Sequence, residues 1–186
     1  MRSFARGAYF VMLLLLCACL LSCNSGEELL WTTDQYGRFI TQDLARAQEE
    51  IPFPIVVPSY LPDNLGKYPL ITGPLKGQWK EDELEVDVVY QAVGLISDGL
   101  IEINEYNHSV TLGDPALNPG YVYSEIAGTE VVETEHTRSM LGDEGVIHIS
   151  GWIFGWNKDD VYFVVQINGY DRDTTVKIVE SMIEQL

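Results

Sequence analysis

The sequence predicts an α+β domain, in which a curved antiparallel sheet of about six or seven strands carries an N-terminal and a C-terminal helix. Apolar and polar residues alternate over residues 84–93 and 100–106, which is typical of strands with one solvated face. Residues 145–156 and 161–167 form a second pair of strand-like runs, joined by a polar turn at 157–160. Apolar residues at helical spacing occur before and after these runs. The predicted order is therefore a helix, a group of strands and a second helix.

The two helices are predicted from apolar spacing and capping residues. The first spans about residues 36–50, begins after Asp34 and ends at Pro52. Its apolar positions are Ile40, Leu44, Ala47 and Ile51. The second spans residues 173–186, with Asp171 or Asp173 as its cap. Val176, Val179 and Ile183 are expected to pack on one face of the sheet, and the full apolar stripe comprises Val176, Val179, Met182, Ile183 and Leu186.

The stretches between these elements are less regular. Residues 52–64 contain four prolines, which exclude a helix and favour a stiff extended segment against the core. Residues 70–71 are predicted as a loop or short strand, and residues 121–126 and 128–132 as further strands. Residues 137–145 are polar and interrupted by glycine.

The start of the chain has the pattern of a bacterial lipoprotein signal. Arg2 and Arg6 precede an apolar run over residues 8–21, and Ser22 stands directly before Cys23. We expect residues 1–22 to be removed, Cys23 to carry acyl chains such as palmitate, and residues 23–33 to form a tether for a domain at 34–186. Cys19, which follows a small residue, is the alternative lipidation site, and an ordinary signal peptide or a short membrane anchor is the alternative reading. The pattern predicts an extracytoplasmic protein held by lipid on the cell membrane or outer membrane.

The charge of the chain restricts its partners. The formal charge is −17, and removal of the two signal arginines lowers it to −19. Such acidity argues against nucleic acid, whose phosphates need lysine or arginine. It also argues against adhesion of the protein surface to an anionic leaflet, which leaves the lipid as the predicted membrane attachment.

No residue pattern indicates catalysis, a metal or a cofactor. The three histidines, His108, His136 and His148, lack the spacing of zinc ligands. Asp171 and Asp173 fall short of the six or more oxygens that calcium needs. A nucleophile-elbow motif is also absent from the sequence. We therefore predict a non-enzymatic protein without a cofactor.

An aromatic stripe is the candidate ligand or partner surface. Trp152, Phe154 and Trp156 alternate on one face of a predicted strand, and Tyr162 lies in the next strand. One interpretation is core packing against the terminal helix. The other is a face awaiting a ligand, because isoleucines also occupy the opposite face of that strand. On the second interpretation, Trp156→Ala should affect binding more than folding.

The opening and the end of the domain together resemble a known family. The segment from Ile51 to Pro62, with its Tyr60-Leu61-Pro62, is similar to the opening of the domain-of-unknown-function 4367 family. Trp156, a polar turn, Tyr162 and a final helix containing residues 180–183 resemble that family's end, although the turn here has no glycine. The resemblance implies an extracytoplasmic or membrane-tethered binding module and supplies no catalytic residue.

These observations lead to two functional hypotheses. The first is a cell-envelope lipoprotein with a binding or sensing domain, whose partner is an envelope protein or an apolar ligand. The second is a carrier of an apolar ligand or an enzyme that modifies envelope material.

Overall fold

The computed structural model describes residues 29–77, 84–93, 98–107, 112–113, 115–142 and 145–186. The predicted signal, Cys19 and Cys23 lie outside the described residues, as does His108. Neither helix in the described ranges has the length and apolar character needed to cross a membrane.

Over the described ranges, nine strands form a single sheet in which every neighbouring pair is antiparallel. The spatial order is β1-β2-β3-β4-β5-β9-β8-β7-β6. In chain order the strands are β1 Trp31–Thr33, β2 Arg38–Thr41, β3 Leu70–Pro74, β4 Glu85–Gln91, β5 Leu100–Tyr106, β6 Val122–Ile126, β7 Thr129–Gly142, β8 Gly145–Lys158 and β9 Val161–Asn168. The sheet-rich α+β class is therefore confirmed, whereas the prediction of six or seven strands is too low.

The N-terminal helix predicted over residues 36–50 is wrong. Residues 38–41 form β2, and only Leu44–Glu50 is helical, as α1. Asp34 caps a turn instead, since its side chain accepts hydrogen bonds from the backbone N–H groups of Tyr36 and Arg38, both at 2.8 Å. The sheet begins at Trp31, three residues before the predicted start of the domain.

The C-terminal helix, α2, spans Arg172–Ile183. Asp171 caps it, because its side chain accepts the Thr174 N–H at 2.8 Å. Val179 and Ile183 are buried as predicted, and Val176 packs half-buried against the core.

One face of the sheet, here called the core face, carries the hydrophobic core. Strand alternation and the strand register place Val88, Ile103, Val165 and Phe154 side by side on this face, and all four are fully buried. They belong to one cluster with residues of α1, α2 and the proline-rich segment. The other face, here called the open face, carries half-buried polar residues on β4 and β5, including Asp87, Glu102 and Asn104.

The proline-rich segment lies against the core, as predicted. Phe53, Ile55 and Val56 are buried, and the segment forms no helix or regular strand. A buried carboxyl group on β5 helps to hold it, since Oε1 of Glu105 accepts the Val56 N–H at 2.8 Å. Gln48 of α1 also contacts the segment, and its side-chain oxygen accepts the Ile55 N–H at 2.8 Å.

The hairpin of β7 and β8 bends over the open face. Arg138 on β7 forms an ion pair with Glu102 on β5, although two strands separate them. In a flat sheet they would lie three strand spacings apart, about 14 Å, and about a further 13 Å along the strands. We place the bend at Gly151, because β8 pairs with β9 only from this residue onward and a Cβ here would lie 2.3 Å from the Ile167 carbonyl oxygen. Only glycine fits there, which allows the distal part of the hairpin to curl over the face.

Candidate functional site

The aromatic stripe lies on the core face. Phe154 is fully buried, Trp156 is 2% exposed, and their cross-strand partners on β9 are the core residues Val165 and Phe163. Trp156 stacks on Phe163 with ring centroids 5.1 Å apart and an interplanar angle of 10°. Core packing is therefore the correct interpretation for Phe154 and Trp156. Because the ring is part of the core, we expect Trp156→Ala to affect folding, in contrast to the expectation from the sequence that it would affect binding more.

Trp152 marks the margin of this core. It is half-buried, and the Arg172 guanidinium at the start of α2 lies 5.7 Å from its ring centroid. Arg172 also donates a hydrogen bond to Oε1 of Glu133 at 2.7 Å. This arrangement joins the start of α2 to β7 and β8, so Trp152 has a structural role at the edge of the helix.

Tyr162, the remaining candidate, points to the open face and forms part of a groove. Its side chain is buried, and its hydroxyl oxygen accepts the Leu112 N–H at 2.7 Å. Burial raises the pKa of Tyr162, so the hydroxyl stays protonated at neutral pH. The contact fixes the segment at residues 112–113 beside the sheet.

The groove has a volume of about 620 Å³, which is within the usual range for small-ligand sites. It lies near the ends of β7, β8 and β9 and is bordered by aromatic, aliphatic and polar side chains. Its lining residues are Leu112, Gly113, Tyr123, Thr129, Glu130, Val132, Gly155, Trp156, Asn157 and Tyr162.

Trp156 borders the groove, although its ring lies on the core face against Phe163. Its Nε1 is buried and forms no hydrogen bond within the described part of the chain. Buried indole N–H groups normally find a partner, because an unpaired donor loses its hydration without compensation. The aromatic side chains that border the groove from the open face are Tyr123 and Tyr162.

The sequence identified two of the groove residues, Trp156 and Tyr162, for a different reason from the one that the structure gives. It missed Leu112, Tyr123 and Val132. Tyr123 and Val132 are direct partners in the pairing of β6 with β7, and Tyr123 is 59% exposed. Alternation along β6 could have indicated Tyr123, whereas no local signal marks Leu112.

The two described histidines, His136 and His148, lie on the hairpin of β7 and β8. His148 Nδ1 lies 2.9 Å from the Ser139 hydroxyl, across the hairpin. Burial, followed by the charge of Arg138, lowers the pKa of His136 and keeps the ring neutral at neutral pH. Within the described ranges, His, Cys, Asp and Glu side chains form no group of three or more that could hold a metal ion.

Two ion pairs give the open face its electrostatic character. Arg38 on β2 binds Asp87 on β4 with a nitrogen–oxygen distance of 2.6 Å, and Asn104 also donates a hydrogen bond to Asp87. The pair of Arg138 and Glu102 lies farther across the same face. All four charged side chains are about one quarter to one third exposed. Each charge is therefore balanced by its neighbour and still reaches solvent.

Comparison with known proteins gives no relative. The chain matches no protein-family model, no curated protein and no solved structure. The resemblance to the domain-of-unknown-function 4367 family therefore stays a prediction from the quoted residues.

Proposed function

We propose that the chain is a bacterial cell-envelope lipoprotein whose extracytoplasmic domain binds a ligand and performs no chemistry on it. The lipoprotein part rests on the sequence pattern of Arg2, Arg6, the apolar run and Cys23. The binding part rests on the groove, and above all on the exposed ring of Tyr123 that borders it. A diacylglycerol on Cys23, with further acylation, would hold the domain stably, since a single chain binds membranes only marginally.

Radiolabelled palmitate and cell fractionation test the anchor. Cys23→Ala should abolish labelling and move the protein from the membrane to the soluble fraction. Cys19→Ala serves as the matched control and should leave both unchanged. If Cys23→Ala is still labelled and membrane-bound while Cys19→Ala is not, Cys19 is the lipidated residue.

Native mass spectrometry of protein purified from envelope extract tests the binding site. Tyr123→Ser removes an exposed aromatic wall of the groove without touching the core, and should reduce retained ligand. Tyr36→Ser removes a tyrosine that is 79% exposed in a turn outside the groove, and provides the control. Equal retention by the two variants would contradict the assignment of the groove.

The second candidate function, a carrier of an apolar ligand, is favoured by a smaller cleft beneath the proline-rich segment. This cleft of about 270 Å³ is bordered by Phe53, Val56, Val161, Phe163 and Leu186, among others. Its volume lies just below the usual range for ligand pockets, so it fits a short apolar group better than a long acyl chain. A co-purifying lipid lost from Val161→Trp but retained by Tyr123→Ser would favour the carrier.

A further inference from the structure

The bent hairpin creates a second depression on the open face. It measures about 540 Å³ and lies between the polar residues of β3, β4, β5 and β9 and the Arg138 side chain of β7. The residues that define its chemistry are Thr72, Asp87, Glu102, Asn104, Arg138 and Gln166. It is thus a polar cleft with one wall contributed by the folded-over hairpin, here called the clasp cleft.

The charge of the clasp cleft differs from that of the whole chain. The protein carries a formal charge of −17, yet the two carboxylates here are neutralised by Arg38 and Arg138. A cation would meet fixed guanidinium groups, and a polyanion would be repelled by the acidic remainder of the protein. The neutralised charges of the clasp cleft therefore favour an uncharged ligand over a cation or a polyanion.

The remaining groups define the ligand further. Carboxylate, carboxamide, guanidinium and hydroxyl groups together supply both hydrogen-bond donors and acceptors. Gln166 in the clasp cleft and Tyr162 in the groove lie on the same face of β9, four residues apart, which corresponds to about 13 Å. One extended molecule can therefore reach both depressions.

We infer that the open face binds an uncharged polyhydroxylated chain, an oligosaccharide, which lies along β9 with one part in the clasp cleft and another in the aromatic groove. This inference rests on the proposed binding function and specifies the ligand class of that site. The sugar hydroxyls would exchange hydrogen bonds with Gln166 and Asn104, and the other part of the chain would lie against Tyr123 in the groove. The ion pair of Arg138 and Glu102 would hold the bent hairpin of β7 and β8 over the bound oligosaccharide.

Titration calorimetry on the full lipoprotein in detergent tests this inference, with the tetramer and monomer of N-acetylglucosamine as probes. The tetramer should bind more tightly than the monomer, because only a chain reaches both depressions. Gln166→Ala should weaken tetramer binding about 3- to 10-fold, the usual effect of losing one hydrogen bond. Gln35→Ala, an exposed turn residue outside both depressions, is the matched control and should bind as the parent does.

The outcomes separate this inference from the proposed function. If neither sugar binds but Tyr123→Ser still loses an envelope ligand, the oligosaccharide inference fails and the binding function stands. If Tyr123→Ser also retains ligand like the parent, both fail. Tighter binding of a sulfated tetramer, or of an uncharged serine- and asparagine-rich peptide, would overturn the choice of an uncharged sugar chain.

Discussion

Glu105 offers the sharpest test of the fold, because it is a fully buried carboxyl in an apolar environment. Its cross-strand neighbours in the register are Val86 and Phe163, and its Oε1 accepts a hydrogen bond from the Val56 N–H. Oε2 is buried and forms no hydrogen bond to the described residues. Burial raises the pKa of Glu105 from 4.5 to about 8, and the Val56 hydrogen bond opposes this only in part.

The sign of the pH effect follows from linkage. Because the pKa of the folded state is above that of the unfolded state, the contribution to stability is complete below about pH 4.5. It is lost as the pH rises through the folded-state pKa of about 8. One pKa unit corresponds to about 1.4 kcal/mol, so the total loss is on the order of 4 to 5 kcal/mol. That loss is a large share of the stability of a typical domain.

Glu105→Gln has the shape of the protonated acid and still accepts the Val56 N–H. We expect it to stabilise the protein by several kcal/mol above about pH 8 and to change little near pH 5. Urea unfolding followed by tryptophan fluorescence across this pH range measures the difference between parent and variant. Glu125→Gln, exposed on the edge strand β6, is the control for loss of one negative charge. If parent and Glu105→Gln lose stability with pH in parallel, Glu105 does not titrate as a buried acid.

Four further substitutions test the bend, the core and a helix cap. Gly151→Ala should destabilise by several kcal/mol in urea titrations and abolish the hairpin bend, because its Cβ would clash with backbone; Gly120→Ala, which has room, should be close to neutral. Trp156→Ala should lower the free energy of unfolding by about 3 to 5 kcal/mol, and Ile183→Ala should lower it by about 2 to 5 kcal/mol, both measured by urea titration. A Trp156→Ala protein as stable as the parent would contradict the place of Trp156 in the core. Asp171→Ala should lower the thermal midpoint, and because the Thr174 backbone N–H lowers the pKa of Asp171, the parent's advantage should shrink as the pH falls through the carboxyl range.

The strands that the sequence predicted are those whose pattern is local. Alternation over residues 84–93 and 100–106 corresponds to β4 and β5, and the aromatic hairpin corresponds to β8 and β9. A period of two residues shows which side chains face the core without knowledge of the neighbouring strands. Only the first residues of the long β7 were predicted as a strand. Its distal half is polar and lies in the part of the β7–β8 hairpin that extends beyond the main sheet.

The missed strand β2 shows where local patterns fail. Ile40, Leu44 and Ala47 have helical spacing, but Ile40 pairs with Thr72 of β3, a partner more than 30 residues away. That pairing outweighs the local helical preference. Gly37, with a φ of 79°, was the available signal, because a left-handed residue ends any helix at that point.

The candidate site was the least predictable part, since its residues come together only through the sheet order. Asp87, Glu102 and Arg138 lie on β4, β5 and β7, and no motif connects them. The bend at Gly151 that brings Arg138 across the face depends on a close approach to the Ile167 carbonyl, which no sequence pattern indicates. An isolated glycine in a strand signals only that a bulge or close approach is there.

The apolar character of both faces of β8 follows from this bend. Trp152, Phe154 and Trp156 need an apolar face because α2 and the proline-rich segment cover the core side. Ile149, on the opposite face, is buried within the curled hairpin, paired with Arg138. The opposite face is therefore covered by the chain itself at one end and open at the other, where the groove lies. The apolar residues on both faces of β8 therefore do not imply a ligand along the whole strand. A ligand has room only at the end of the strand where Gly155 and Trp156 border the groove.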